Sequence, residues 1–113
     1  MKKIEAVIRP TKVGDVLAAL NKSGHPGVMV SEIEGHGKQK GIEQEFRGKI
    51  YKTELLTKAK IEIVVNDEDV ERIVQAIREA ALTGTVGDGK IFISAAIEDA
   101  VRIRTGEHGN IAV

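Results

Sequence analysis

The segment at residues 84–90, Gly-Thr-Val-Gly-Asp-Gly-Lys, combines three glycines with a lysine, and two arginines, Arg102 and Arg104, follow it. Glycine tolerates the positive φ that a chain needs to point successive N–H groups at one anion. Lysine and arginine add charge-assisted hydrogen bonds to phosphate oxygens. The pattern therefore indicates a phosphate site, for which a nucleotide is the natural ligand.

The same residues also have a simpler interpretation. Gly-Asp-Gly before an apolar run is typical of a hairpin or loop connection, and Arg-Ile-Arg is typical of a strand with one solvated face. The segment lacks the Lys-Ser/Thr ending of the P-loop motif. The spacing alone leaves both interpretations open.

Composition sets the frame for this site. The chain has 113 residues, of which 42% are hydrophobic, so we expect one domain with a modest core. Its 17 basic and 17 acidic residues give no net charge. The chain as a whole therefore has no positive electrostatic field that would attract nucleic acid or an anionic membrane. There is no cysteine and hence no disulfide or thiolate chemistry, and no long apolar segment of signal or transmembrane type, so we expect a cytoplasmic protein.

An internal repeat predicts the architecture. Apolar residues alternate along residues 4–8 and again 57 positions later, along residues 61–65, as they do in half-buried strands. Each strand pattern is followed by apolar residues at helical i, i+3, i+4, i+7 spacing. The two helical stripes are Val13, Val16, Leu17 and Leu20, and Val70, Ile73, Val74 and Ile77.

The ends of both helices also have sequence signals. We expect the Thr11 side chain to cap the first helix and the Asn66 side chain to cap the second, where three acidic residues follow. Ser-Gly at residues 23–24 and Thr-Gly at residues 83–84 are expected to end the helices.

Further strands are predicted at residues 28–34 and 90–97. Two tandem βαβ units give an α+β, ferredoxin-like fold: a four-stranded antiparallel sheet with both helices on one face. The strands look too apolar for the other face to lie wholly in water, so we expect oligomerisation to bury it. This expectation is based on Ile8, Ile61, Ile63, Val65, Ile91 and Ile93.

A long polar segment, about residues 37–57, connects the second and third strands. Connections of this length without their own structure are uncommon in compact domains and are usually functional or disordered. The glycines of Gly-His-Gly-Lys-Gln-Lys-Gly at residues 35–41 favour a hinged regulatory loop over a tolerated insertion.

Taken together, these motifs resemble the nitrogen regulatory P-II signal transduction proteins over essentially the whole chain. The matching motifs are Met-Lys-Lys-Ile at 1–4, Ile-Arg-Pro at 8–10, Gly-Lys-Gln-Lys-Gly at 37–41, Phe-Arg-Gly at 46–48, Lys-Ile-Glu-Ile-Val-Val at 60–65, Thr-Gly at 83–84, Gly-Asp-Gly-Lys-Ile-Phe at 87–92 and Arg-Ile-Arg-Thr-Gly at 102–106.

The resemblance implies a homotrimer that binds ATP or ADP in clefts between subunits. The phosphates would lie on the loop at residues 84–90 of one subunit, and Arg102 and Arg104, in a C-terminal loop and tail at residues 102–113, would reach them from its neighbour. Other matching positions surround the adenine and ribose. The implied nucleotide residues are Val7, Met29, Gly35, Gly37, Lys38, Glu62, Val64, Gly87, Asp88, Gly89, Lys90, Arg102 and Arg104.

The resemblance also implies a site for 2-oxoglutarate that depends on Mg-ATP. A 2-oxo acid can chelate Mg²⁺ through its keto and carboxylate oxygens, while ATP phosphates and the Gln39 amide complete the shell. Without the resemblance, Arg9 and Lys58 would be interpreted as ordinary surface cations. The implied 2-oxoglutarate residues are Arg9, Gln39, Lys40, Gly41 and Lys58.

The implied mechanism is a switch in which bound ligands select a conformation of the long loop, which then docks on a target. In this family the targets include ammonium transporters and enzymes or regulators of nitrogen assimilation. Tyr51 lies where many members carry a uridylylated tyrosine, although the residues before it differ from the usual pattern. Departures at Met29, His36 and Thr85 lie at nucleotide-site positions and bear on nucleotide selectivity.

Two other classes of protein share this type of fold. An RNA-binding domain would need stacking aromatics, but the chain has only Phe46, Tyr51 and Phe92. An acyl-phosphate hydrolase would need a positioned nucleophile or acid/base pair, which the sequence does not indicate, so no enzymatic activity is expected. The nearer alternative is a divergent P-II protein that senses ATP, ADP or AMP without 2-oxoglutarate.

Overall fold

The protein is described by a computed structural model. It covers the backbone of residues 1–35, 43–46, 49–52, 56–95 and 97–113, and the side chains of residues 1–35, 56–95 and 97–113. The strands are β1 (Lys2–Ile8), β2 (Met29–Gly35), β3 (Glu43–Phe46), β4 (Lys49–Lys52), β5 (Leu56–Val65) and β6 (Lys90–Ser94). The helices are α1 (Val13–Lys22) and α2 (Val70–Ala81), and short 3₁₀ turns span Pro10–Lys12, Asp67–Asp69 and Gly109–Ala112.

Four strands form one antiparallel sheet in the order β2-β5-β1-β6. In the two central strands, Ile4 lies opposite Ile63 and Ala6 lies opposite Ile61, so the alternating apolar residues of both repeats share one face. Helices α1 and α2 pack on that face and bury it. The predicted ferredoxin-like α+β fold is therefore confirmed.

The core lies between the sheet and the helices. It contains residues from both repeated strands and from both helical stripes, because period-2 and period-3.6 patterns bring their apolar sides to the same layer. The buried core residues are Ile4, Ala6, Ile8, Val16, Leu20, Ala59, Ile61, Ile63, Val65, Ile73, Ile77 and Ala81.

The six apolar residues that were expected to make the uncovered face of the sheet apolar do not lie on that face. Ile8, Ile61, Ile63 and Val65 are buried on the helix side, and Ile91 packs against the same core. The sixth residue, Ile93, is 52% exposed but lies opposite Ile4 and hence on the helix side as well. Alternate residues of a strand share one face, so these residues cannot count for the other.

The face that the helices leave uncovered is instead rich in ion pairs. The Nζ of Lys3 lies 2.8 Å from an Oε of Glu5 and 3.2 Å from an Oε of Glu62, and the Nζ of Lys60 lies 2.9 Å from Glu62. Phe92, which lies opposite Glu5, is 53% exposed on this face.

Both predicted helix caps were wrong. Pro10 begins a 3₁₀ turn that includes Thr11, so α1 starts only at Val13, and no side chain caps it. The same happens before α2: the turn Asp67–Asp69 intervenes, and the buried Oδ1 of Asn66 has no hydrogen-bond partner among the described atoms. The predicted helix ends are close to those observed.

Strand ends differ modestly from the predictions. Strand β2 starts and ends one residue later than predicted, and β6 ends at Ser94 instead of residue 97. The segment predicted as a loop at residues 37–57 contains the two-stranded β3-β4 ladder, with Phe46 opposite Lys49, and its last two residues belong to β5.

Candidate functional site

The loop between α2 and β6 has the conformation that its glycines predict. Gly84, Gly87 and Gly89 have φ values of 86°, 107° and 101°, a region that glycine adopts without steric cost. Gly89 also lies directly against β1: a Cβ at this position would come 1.7 Å from the carbonyl oxygen of Val7. Only glycine fits there.

This loop has backbone donors without a hydrogen-bond partner among the described residues. Within the described part of the chain, the N–H groups of residues 86–89 donate no hydrogen bond to another residue. Successive N–H groups of this kind form the concave nests in which proteins bind phosphate and other anions. We call residues 84–90 the phosphate loop after the ligand that the sequence predicts for them, and phosphate binding there stays a prediction.

The carboxylate of Asp88 organises the loop from inside. One oxygen accepts hydrogen bonds from the N–H groups of Thr83 and Gly84, both at 2.9 Å. The other accepts from the Thr83 hydroxyl and, at 3.2 Å, from Nε of Arg9. These bonds, above all the one from the Thr83 hydroxyl, hold the pKa of Asp88 well below its ordinary value. The described contacts make Asp88 a turn residue, and its implied contact with nucleotide stays a prediction.

Arg9 and Lys58 both donate to the phosphate loop. Nη2 of Arg9 lies 2.9 Å from the carbonyl oxygen of Val86 and 3.4 Å from that of Thr85. Nζ of Lys58 lies 2.9 Å from the carbonyl oxygen of Gly87. Burial, reinforced by the charge of Arg9, lowers the pKa of Lys58. Both cations have specific partners, so neither is an ordinary surface cation.

Four of the implied adenine and ribose residues lie together on the uncovered face of the sheet. Glu62 of β5 is opposite Met29 of β2, while Val64 and Val7 lie on the same side of their strands. Hydrogen bonds from Lys60 and from Lys3 lower the pKa of Glu62, so it is a paired carboxylate. Met29 is 60% exposed and both valines are partly buried, which leaves apolar surface available.

Lys90 and Gly35 lie at strand ends near this surface. Lys90 is both the last residue of the phosphate loop and the first residue of β6, and it lies opposite Val7. Gly35 ends β2, and a Cβ there would come 3.7 Å from Cγ of Lys58, an ordinary contact. The strand order thus brings both residues to the edge where β1 and β5 meet the loop.

The two C-terminal arginines lie in a separate turn. Arg102 donates to a carboxylate oxygen of Glu107 at 2.9 Å and to the carbonyl oxygen of Ile111 at 2.8 Å. Arg104 is exposed and has no hydrogen-bond partner among the described residues. No hydrogen bond between described residues joins either arginine to the phosphate loop of the same chain. Their contribution to a neighbouring subunit's site stays a prediction.

Comparison with known proteins decides the family. Residues 1–107 match the family described as Nitrogen regulatory protein P-II. The chain belongs to the P-II family. It is 53% identical to Nitrogen regulatory protein P-II 2 of Methanothermobacter thermautotrophicus over 113 residues, covering all of this chain and 97% of that protein. It is 51% identical to the Nitrogen regulatory protein P-II of Rhodospirillum rubrum, with full coverage of both.

A solved structure has the same fold. The crystal structure of Arabidopsis thaliana PII bound to citrate superposes with a TM-score of 0.80 at 39% identity, covering 99% of this chain and 91% of that chain. The relatives are named as regulatory proteins, which points to a signalling role and not to catalysis for this P-II chain.

Several family positions lie outside the described residues: Gly37, Lys38, Gln39, Lys40 and Gly41. The backbone of Tyr51 lies in β4 opposite Gln44, but its side chain is not among those described. Among the described residues, no three His, Asp or Glu side chains are grouped to hold a metal ion. None of the helices there is long and apolar enough to cross a membrane.

This P-II protein also has a shallow groove on the helix side of the phosphate loop. It has a volume of about 390 Å³ and is lined mainly by apolar side chains, among them Val74 and Ile77 of α2 and Ile91 of β6, together with Arg78. Residues 88–90 of the phosphate loop also line this groove, whereas Met29, Glu62 and Val64 lie on the opposite face of the sheet.

Thr83 is the residue whose role at the site the sequence did not reveal. It was interpreted only as a helix end, whereas its N–H and hydroxyl both bind Asp88. The spacing carried no signal for this role, because Thr83 and Asp88 are five residues apart, outside the short-range patterns in which Thr and Asp side chains bond nearby backbone groups.

Proposed function

We propose that this P-II protein is a homotrimeric regulator that binds ATP or ADP on the phosphate loop. The supporting observation is the run of N–H groups at residues 86–89, which have no hydrogen-bond partner among the described residues and are followed directly by the cation Lys90. Backbone donors and cations together are the chemistry of a polyphosphate site. The apolar surface at Met29 and Val64 suits an adenine ring.

The second proposed ligand is 2-oxoglutarate, bound together with Mg-ATP. A dicarboxylate needs cations, and Arg9 and Lys58 supply two at the base of the long loop. The Arabidopsis relative in the solved structure is bound to citrate, another carboxylate anion. Mg²⁺ would be held by ATP phosphates, by 2-oxoglutarate and by Gln39, and it would bridge the two ligands.

The segment at residues 37–57 is the part of the protein that contacts the target and passes on the ligand state. Gln39 lies in that segment and also in the implied ligand shell, so ligand binding changes the energy of loop conformations. The proposed targets are an ammonium transporter or an enzyme or regulator of nitrogen assimilation, and the proposed location is the cytoplasm. Tyr51 lies on the same segment and is the candidate modification site.

An energy sensor without 2-oxoglutarate is the second candidate function. It is favoured by the engagement of Arg9 and Lys58 with carbonyl oxygens of the phosphate loop, because a dicarboxylate would compete for those donors. In that case the adenine nucleotides alone would set the state of the protein.

Calorimetric titration distinguishes the two functions. The purified protein is titrated with ATP, then with 2-oxoglutarate at saturating Mg-ATP, and again with 2-oxoglutarate alone. Heat from 2-oxoglutarate only in the presence of Mg-ATP supports the two-ligand sensor, and the variant Gln39→Ala should lose that heat but retain ATP binding. ATP heat with none from 2-oxoglutarate supports the energy sensor.

Arg104→Gln is the better test of the nucleotide site than substitution of Arg102, because Arg102 also holds its own turn together. Loss of a charge-assisted bond costs about 1.5–3 kcal/mol, or roughly 10-fold to 150-fold in ATP affinity. Lys22→Gln, which removes an exposed cation at the end of α1, is the matched control and should bind ATP normally. Normal ATP affinity of Arg104→Gln would contradict the assignment.

Subunit mixing tests the trimer and the shared site together. If Lys90 and Arg104 act from different subunits, co-refolded Lys90→Gln and Arg104→Gln chains regain some sites with both residues intact. Mixed assemblies should then recover high-affinity ATP binding that neither parent has. A lack of recovery, with a trimer mass verified by ultracentrifugation, would place both residues in one subunit's site.

A further inference from the structure

Arg9, which follows β1, contacts residues of the phosphate loop that come 76 to 79 positions later in the sequence. Its guanidinium bonds the carbonyl oxygens of Val86 and Thr85 and the carboxylate of Asp88, and its side chain is only 21% exposed. An arginine fork that engages two kinds of acceptor in one loop restricts the loop more than a single point charge would.

Both carboxylate oxygens of Asp88 accept hydrogen bonds in these contacts. Its two oxygens accept from two N–H groups, from the Thr83 hydroxyl and from Arg9. A carboxylate beside a phosphate site would repel the ligand, so its negative charge needs a cationic partner. Arg9 is the cation that supplies it, at 3.2 Å from Oδ1.

The hydrogen bonds that Arg9 and Lys58 donate to carbonyl oxygens of the phosphate loop also set the direction of the N–H groups in that loop. Arg9 and Lys58 together hold the carbonyl groups of three successive residues, 85–87, toward the ends of β1 and β5. In a planar trans peptide the N–H of the next residue points the opposite way. The unpaired N–H groups of residues 86–88 are therefore turned away from the two cations.

From this arrangement we propose that Arg9 is a positioning residue for nucleotide binding. By holding the carbonyl groups and neutralising Asp88, it keeps the N–H groups of the phosphate loop aimed at the polyphosphate, with no dicarboxylate present. The inference rests on the proposed nucleotide function. It assigns Arg9 a role separate from the implied contact with 2-oxoglutarate.

The test is ATP affinity, measured by calorimetry in solutions free of 2-oxoglutarate. Arg9→Gln should weaken ATP binding on the order of tenfold, because bonds to a charged donor are lost. Arg9→Lys keeps the charge but not the fork, so its affinity should lie closer to Arg9→Gln than to the wild type. Lys12→Gln removes a cation of the adjoining turn, which pairs with Asp15, and should bind ATP normally.

A double-mutant cycle with Asp88→Asn separates positioning from direct contact. If Arg9 acts through the loop, the double variant should lose clearly less affinity than the two single losses combined. Amide chemical shifts at residues 84–88 should move in Arg9→Lys, while circular dichroism shows the same fold.

The possible failures are distinguishable. If the wild type binds no ATP, the proposed nucleotide function itself is wrong. If the wild type binds ATP and Arg9→Gln binds it equally well, or if Arg9→Lys restores full affinity, the positioning role is overturned. Additive losses in the cycle would also overturn it and assign Arg9 to direct contact with nucleotide.

Discussion

Replacing Gly89 by alanine tests how the phosphate loop is seated on the sheet. A Cβ at residue 89 would lie 1.7 Å from the carbonyl oxygen of Val7, 2.8 Å from its carbonyl carbon and 3.3 Å from Cα of Ile8. All three atoms belong to the backbone, so no side-chain rotation relieves the contact. Val7 is itself paired with Lys60 on one side and with Lys90 on the other, which fixes it within the sheet.

The expected cost combines two terms. A φ of 101° in a residue with a Cβ costs about 1–3 kcal/mol. Separation of the atoms also requires a backbone shift of roughly 1–1.5 Å in a packed region, which typically adds about 1–3 kcal/mol. The total is about 2–6 kcal/mol, and at about 4 °C per kcal/mol for a domain of this size the melting temperature should fall by roughly 8–24 °C.

Two other glycines serve as controls in the same thermal unfolding experiment. Gly84 has a φ of 86°, but a Cβ added there would meet nothing within 4 Å, so Gly84→Ala should show the conformational cost alone. Gly14 lies in α1 with no contact to meet, so Gly14→Ala should stabilise the protein by up to about 1 kcal/mol. All variants are compared at equal concentration, because assembly raises the melting temperature. If Gly89→Ala melts within about 2 °C of Gly84→Ala, the close approach of the loop to Val7 is refuted.

Three further outcomes are expected. Because the pKa of Asp88 is lowered in the folded protein, its stabilising bonds are complete above the ordinary value of 3.8 and are lost only as pH falls below it; the amide shift of Thr83 should therefore titrate below 3.8, and a midpoint above it would contradict the bonding. Ile77→Ala, in the core between α2 and the sheet, should lower the free energy of unfolding by about 2–5 kcal/mol in chemical denaturation, and a loss under about 1 kcal/mol would place it outside the core. Ile103 is 100% exposed, so Ile103→Ser should leave the fold intact but weaken assembly in ultracentrifugation if the C-terminal turn packs on another subunit; unchanged assembly would show that it does not.

The elements of the fold were predictable because they depend on local periodicity. Apolar residues alternate along the strands that contain Ile4 and Ile61, and they recur at helical spacing from Val13 and from Val70. Such patterns arise whenever one side of a strand or helix is buried, and any packing of a sheet against helices buries one side of each. The caps were not predictable in this way. Pro10 presets a φ that also suits a 3₁₀ turn, and this turn displaces the helix start beyond the capping residue.

For the candidate site, the sequence predicted the glycine-rich turn but not the contacts that hold it. Several glycines close together in a turn favour positive φ, and the structure has it at Gly84, Gly87 and Gly89. The contact of Arg9 with Asp88 joins residues 79 apart and depends on β1 and β6 being neighbours in the sheet. Such a contact follows from the three-dimensional fold, and no spacing rule along the chain encodes it.

The C-terminal turn holds Arg102 and Arg104, which belong to the proposed nucleotide site but have no hydrogen bond to the phosphate loop of their own chain among the described residues. Arg102 is held by Glu107 and by the carbonyl oxygen of Ile111, while the next two side chains extend into solvent. Burying a fully exposed isoleucine gains about 1.5–3 kcal/mol, so a neighbouring surface that covers Ile103 would be favoured. Packing of Ile103 would also bring Arg104 to that neighbour. The same contact that assembles the subunits would therefore add a cation to the phosphate site, which couples nucleotide affinity to assembly.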